Sequence, residues 1–219
     1  MRWEQTTLPT KAEPGYGERE LSAEDFVLQN PRPTVVWFFS VEDERENQSC
    51  ETTVFQNEQV GLSLRRFRLV KIDVESIQDG KFRQRYARTT PSFHFIDPSG
   101  KTVTKIEGKP ATSLSRFNGT LKQTWATMFA MNQRTFVKQM TKILDRLDRV
   151  TAQRTVLEAK KLRLQGKSNR AKMAAIAADE AELVEVEQKI QEDEQAVIGR
   201  CALRKEFRAG GAAGAVENP

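Results

Sequence analysis

Few residues in this chain could carry covalent or acid–base chemistry: two cysteines, Cys50 and Cys201, one histidine, His94, and an acid-rich run from Glu42 to Glu46 just ahead of Cys50. A thiol reacts as its thiolate, so the charges around a cysteine decide what it can do. Cys50 follows four carboxylates, Glu42, Asp43, Glu44 and Glu46, which raise a thiol pKa. It therefore reads as a small buried apolar filler. A guanidinium from Arg45, Arg65, Arg66 or Arg88 folding back on it would instead allow a thiol-dependent oxidoreductase or peroxidase. Cys50 and Cys201 are too distant in sequence for a disulfide framework or a zinc-ligand spacing. His94 lies between Phe93 and Phe95 on an alternating stretch, so it faces away from them, and with no Ser or Cys motif beside it reads as a packed structural histidine. Asp73 and Asp79 lack the spacing of a metal loop, and no Gly-rich phosphate cradle is present. No metal or cofactor is expected.

These residues must be held by a set of alternating elements. Thr34-Val35-Val36-Trp37-Phe38-Phe39 is a continuous apolar run bounded by Pro33 and a polar loop, the pattern of a strand covered on both faces. A helical stretch from about Glu42 to Leu64 leads to a second strand, Arg68 to Val74, so the crossover is right-handed. A short helix near residues 79 to 87 precedes Thr90-Pro91. Ser92 to Ile96 and Lys101 to Ile106 then form a hairpin around Asp97-Pro98-Ser99-Gly100. Ala111-Thr112-Ser113 caps a helix running to about Trp125. Residues 1 to 20, broken by Pro9, Pro14, Gly15 and Gly17, read as a flexible lead-in, with a short helix from Ser22 to Leu28 ended by Pro31 and Pro33.

This order of elements, together with Tyr86-Ala87-Arg88-Thr89-Thr90-Pro91-Ser92-Phe93-His94-Phe95-Ile96-Asp97-Pro98-Ser99-Gly100-Lys101, resembles the thioredoxin family over roughly residues 26 to 125. The resemblance implies an α/β, thioredoxin-like three-layer sandwich. It also implies that Pro91 is the family's cis-proline and that Thr90 and Pro91 line a groove for extended peptides. Active family members carry Trp-Cys-x-x-Cys after the first strand, with the first thiol activated at a helix N-terminus. Here Asp43 and Glu46 fall at the two thiol positions, or, shifted by one, Glu44 and Asn47. Neither register supplies a thiol, and disulfide exchange needs one attacking and one leaving. The expectation is a degenerate, redox-inactive site whose carboxylates still suit a helix start.

Beyond this domain, Phe129, Phe136, Ile143, Val150, Leu157 and Leu164 repeat at seven, and after Gly166-Lys167-Ser168-Asn169 the spacing resumes at Ile176, Leu183, Ile190 and Val197. Two coiled-coil-like helices joined by a short polar turn run antiparallel. Arg134 to Arg163 holds nine basic residues against three acidic ones, and Asp179 to Glu194 eight acidic against Lys189 alone. A turn centred near residue 167 places Val150 near Leu183, Ile143 near Ile190 and Arg154 near Glu180. The expected division is a lead-in over 1–20, a thioredoxin-like domain over 21–126, a helical hairpin over 127–208 and a disordered tail over 209–219.

The 35 Lys and Arg nearly balance 30 Asp and Glu, for a net charge of +5. No basic cluster interleaved with aromatics is present, so nucleic acid is not the expected partner, and a polyanion-binding role stands as a third reading. No apolar signal-peptide core or membrane-length stretch is present, which points to the cytoplasm unless a leader has been trimmed. The reading that unites these features is a non-catalytic interaction or assembly protein, with a protein partner or a second copy of the chain bound through the hairpin.

Overall fold

The computed structural model describes residues 3–5, 32–77, 80–164 and 170–208. The expected helix at Ser22 to Leu28, most of the lead-in, the turn at Gly166 to Asn169 and the tail from Ala209 lie outside these residues. The strands are β1 (Glu4–Gln5), β2 (Thr34–Phe39), β3 (Arg68–Asp73), β4 (Ser92–Ile96) and β5 (Thr102–Glu107). The helices are α1 (Glu44–Ser49), α2 (Glu58–Leu64), α3 (Gly80–Tyr86), α4 (Leu114–Met128), α5 (Gln133–Leu164), α6 (Arg170–Arg200) and α7 (Lys205–Arg208).

The sheet order is β1-β3-β2-β4-β5, with β2 parallel to β3 and antiparallel to β4, and β4 antiparallel to β5. β2 sits at the centre with all six residues buried. Alternation divides its side chains between two layers. Val36 and Phe38 join Val70, Ile72 and Ile96 under Phe82 and Ala87 at α3. Trp37 faces the other way, stacked on Phe93 with ring centroids 5.5 Å apart, and Phe117 of α4 meets Phe93 edge-on at 5.0 Å. Helices thus cover both faces of a mixed sheet in the order βαβ then ββα, which is a thioredoxin-like three-layer sandwich.

Three local expectations change. Glu4–Gln5 pair in parallel with Val70 and Lys71 as an edge strand, Trp3 packs 5.4 Å from Trp37, and Arg68 bonds Glu4 at 2.8 Å. The lead-in is therefore tied to the sheet at its start, because a single large aromatic and one strand ladder outweigh the polar composition around them. The stretch from Glu42 to Leu64 is not one helix: α1 runs into a turn of π-helix, Cys50–Val54, closed by Phe55 N–H donating to Cys50 O at 3.0 Å. α2 then starts afresh because Asn57 Oδ1 accepts from Val60 N–H, an N-cap placed before the run Val60 to Leu64. Finally, Phe129 matches the seven-residue repeat by coincidence. It lies ahead of α5, bridges to Leu203, and packs 4.5 Å from Trp125 and 5.5 Å from Phe67.

The described residues form two compact units, those up to 133 together with 203–208, and those between 134 and 202. The sheet unit thus extends past residue 126 and takes in residues 203–208 expected in the hairpin, since Arg204 N–H donates to Met128 O at 2.9 Å. In the second unit α5 and α6 run antiparallel. Arg146 pairs with Asp193 at 2.5 Å, Arg154 with Glu187 at 2.6 Å and Lys161 with Glu180 at 2.5 Å. Each pair of numbers adds to about 340, one heptad beyond the turn-centred expectation, and Arg154 meets Glu187 rather than Glu180. Side chains lean toward the N-terminus of their own helix, so those of α5 reach away from the turn and those of α6 toward it, which accounts for about two positions of the difference.

Phe93 touches Trp37, Phe55 and Phe117 with no exposed surface. Phe93→Ala is expected to lower unfolding free energy by about 3–5 kcal/mol in a chemical denaturation series, because the cavity lies under rigid aromatics that collapse poorly.

Candidate functional site

The site lies where β2 ends and α1 begins, opposite the segment that enters β4. β2 delivers Ser40, whose carbonyl accepts from Asp43 N–H at 3.1 Å and from Asn47 Nδ2 at 2.7 Å. This closes the tight turn Ser40 to Asp43, and Asn47 N–H donates to Asp43 O at 3.0 Å as the first helical bond. Asp43 is the N-cap of α1, yet its carboxylate does not cap the helix. It accepts instead from the Thr90 hydroxyl, across 47 residues of sequence.

Thr90 is held in place from the sheet side. The Thr90–Pro91 peptide is cis, Pro91 O accepts from Gly108 N–H at 2.8 Å, and Gly108 has φ of +63°. A Cβ at Gly108 would come 3.2 Å from Thr89 Cγ2, so both the conformation and the close approach call for glycine there. The peptide group of Thr90 makes no backbone hydrogen bond among the described residues.

The structure brings together Asp43, Thr90 and Pro91 and separates the rest. Glu44 is exposed, while Glu46 and Asn47 are half-buried on the next turn. Beside Asp43 opens a cleft of about 440 Å³ that also involves Glu75, Arg83 and Arg88. Arg83 is paired with Glu75 at 2.7 Å, and Arg88 is exposed with no ion-pair partner among the described residues. Sequence reasoning had considered Arg88 only as a companion of Cys50 and had passed over Arg83. Their spacing at i and i+5, just ahead of Thr90, was the available signal.

Cys50 stands apart, fully buried. Burial first, then Glu51 and Glu46, push its thiol up to about 12, with Lys71 the one cation opposing them. Lys71 is itself engaged by Glu51 at 3.3 Å and lies 4.2 Å from the Trp37 ring. The arginines considered for this role from sequence are not among the charges acting on the thiol. At neutral pH such a thiol stays protonated, and it has no surface from which to attack.

His94 faces Val36 across the sheet pairing, edge-on to Phe38 at 5.3 Å and near Tyr86 at 5.7 Å. Its Nε2 lies 3.9 Å from Glu107 Oε1, beyond hydrogen-bonding reach, and neither ring nitrogen has a partner of good geometry among the described residues. Burial lowers its pKa to about 4, outweighing Glu107, which raises it. Among the described residues no three His, Cys, Asp or Glu side chains gather as a metal site, and no described helix is long and apolar enough to cross a membrane.

No protein-family model matches the chain, and no curated protein matches it. Among solved structures, a thioredoxin from Thermus thermophilus is similar over 46% of this chain and 79% of that one, with 24% identity and a TM-score of 0.38. The fold assignment rests on strand order and direction, not on that likeness.

His94 gives a direct test of this packing. Its pKa is 6.5 when unfolded and about 4 when folded. The unfolded chain therefore binds a proton that the folded chain refuses, so stability is complete above pH 6.5 and falls by about 3 kcal/mol as pH drops toward 4. As the only imidazole in the chain, it should show an NMR titration midpoint near 4, and His94→Leu should flatten the pH dependence of unfolding across that window.

Proposed function

We propose that the sheet unit is a non-catalytic protein-binding module built on a redox-inactive thioredoxin-like fold, with the helical hairpin as its association element. The observation that carries this reading is the Asp43 carboxylate bonded to the Thr90 hydroxyl beside Pro91. In relatives of the thioredoxin family that position belongs to the attacking thiol. A carboxylate there is an acceptor and a fixed charge, but it forms no mixed disulfide. The groove around it keeps what an extended protein segment needs: among the described residues, a peptide group at Thr90 with no backbone partner, open to main-chain pairing, and Arg88 with no ion-pair partner at the rim. The chemistry suits a polar segment better than an apolar one, because Glu42, Asp43, Glu75, Arg83 and Arg88 all border the cleft.

The thiol-dependent reading has less support because Cys50 is buried and its thiolate disfavoured. The polyanion reading has less support because Arg146, Arg154 and Lys161 are matched by Asp193, Glu187 and Glu180 within the hairpin. An insulin-reduction assay with dithiothreitol distinguishes the first two. The expected rate equals the uncatalysed one, and Cys50 labels with an alkylator only on unfolding. Catalysis abolished by Cys50→Ser would overturn the reading.

A further inference from the structure

Between α5 and α6 runs an open groove of about 640 Å³, on the face opposite the Arg154–Glu187 and Lys161–Glu180 pairs. Its floor is apolar: Val150, Leu157 and Leu183 of the seam, with Val156 and Val186 left 53% and 36% exposed. Its two edges carry opposite charge. Arg149 and Lys160 stand on the α5 edge, Asp179 and Glu182 on the α6 edge, and none of the four has an ion-pair partner among the described residues. The contrast with the opposite face is informative. There Arg154 and Lys161 are neutralised across the seam; here Arg146 also lines the groove and pairs with Asp193, whereas Arg149 and Lys160 have no ion-pair partner among the described residues.

We propose that this groove is a homodimer interface, occupied by the same groove of a second copy of the chain. The inference rests on the reading of the hairpin as an association element and names its partner. A surface with one basic and one acidic edge is complementary to itself under a two-fold rotation, which is the condition for an isologous dimer. Two face-to-face arrangements exist. A two-fold axis across the helices lays α5 on α5 and α6 on α6, setting like charges together. An axis parallel to the helices lays α5 of one copy on α6 of the other, so Arg149 and Lys160 meet the partner copy's acidic edge. Charge selects the second arrangement. It yields a four-helix bundle in which every neighbouring pair is antiparallel and the exposed valines close a common core. Both hairpin tips then lie at the same end.

Light scattering and sedimentation of the full chain test this. The expected result is a reversible dimer of twice the chain mass. Val156→Asp with Val186→Asp should raise its dissociation constant at least roughly a hundredfold, by burying unpaired charge. Helical circular dichroism should not change, since both side chains are exposed in the single chain. A chain carrying Arg149→Glu and Lys160→Glu, and another carrying Asp179→Lys and Glu182→Lys, should each be monomeric alone and dimerise when mixed. A spin label at Lys172 should report an intermolecular distance of about 20 Å, two helix diameters, whereas the crossed arrangement separates the labels by about 40 Å along the helices. A chain that stays monomeric, a dimer that ignores either set of substitutions, a mixture that does not recover the dimer, or the long distance would each overturn the proposal. Any of these would leave the insulin-reduction result, and the binding-module reading it tests, untouched.

Discussion

A strand of six consecutive buried residues, Thr34 to Phe39, cannot sit at a surface, so the chain must lay a helical layer on each of its faces. The consequences run outward from that constraint. Val36 and Phe38 require α3 above them, Trp37 packs below on Phe55 and on Phe93, which Phe117 of α4 covers, and the pairing of β2 with both β3 and β4 brings the end of β2 beside the entry to β4. The meeting of Asp43 with Thr90 follows from this. The two residues are 47 positions apart, and only the central strand makes them neighbours.

At that junction the backbone and the side chains answer different demands. The turn at Ser40 and the helix start at Asp43 are kept by main-chain bonds that any polar residue at position 43 could accompany. The side chain of Asp43 is free to do something other than cap, and it reaches for Thr90. Cys50, about two turns further on, is used as core filling: burial and two neighbouring glutamates hold its proton on. Acidic character at this helix thus acts twice, making an acceptor at the groove and suppressing a nucleophile beneath it. The hairpin also uses its charge in two ways, satisfying Arg146, Arg154 and Lys161 within the chain while Arg149 and Lys160 have no ion-pair partner among the described residues.

Much of this was legible in the residues. The run at 34–39 announced a central strand, Asp97-Pro98-Ser99-Gly100 announced its turn, and Gly100 does adopt φ of +89° with Asp97 Oδ1 collecting Ser99 and Lys101 N–H groups. The heptads at Ile143 and Ile190 gave the hairpin and its direction. What was hidden depended on three dimensions. A seven-residue repeat cannot distinguish one heptad register from the next, so Arg154 was matched with the wrong glutamate. Phe129 shared the spacing while belonging to another core. The edge strand at Glu4–Gln5 is two residues long, too short for any periodicity. At the site, two registers fitted the sequence equally, and what the sequence could not show is that Asp43 accepts from the Thr90 hydroxyl.

The proposal that Asp43 stands where thioredoxins carry their attacking thiol is most directly tested by introducing the sulfurs. The chain carrying Asp43→Cys and Glu46→Cys is expected to form an internal disulfide and to accelerate insulin reduction well above the unaltered protein. The chain carrying Glu44→Cys and Asn47→Cys is expected to remain inert. An active shifted pair beside an inert Asp43 and Glu46 pair would contradict the account.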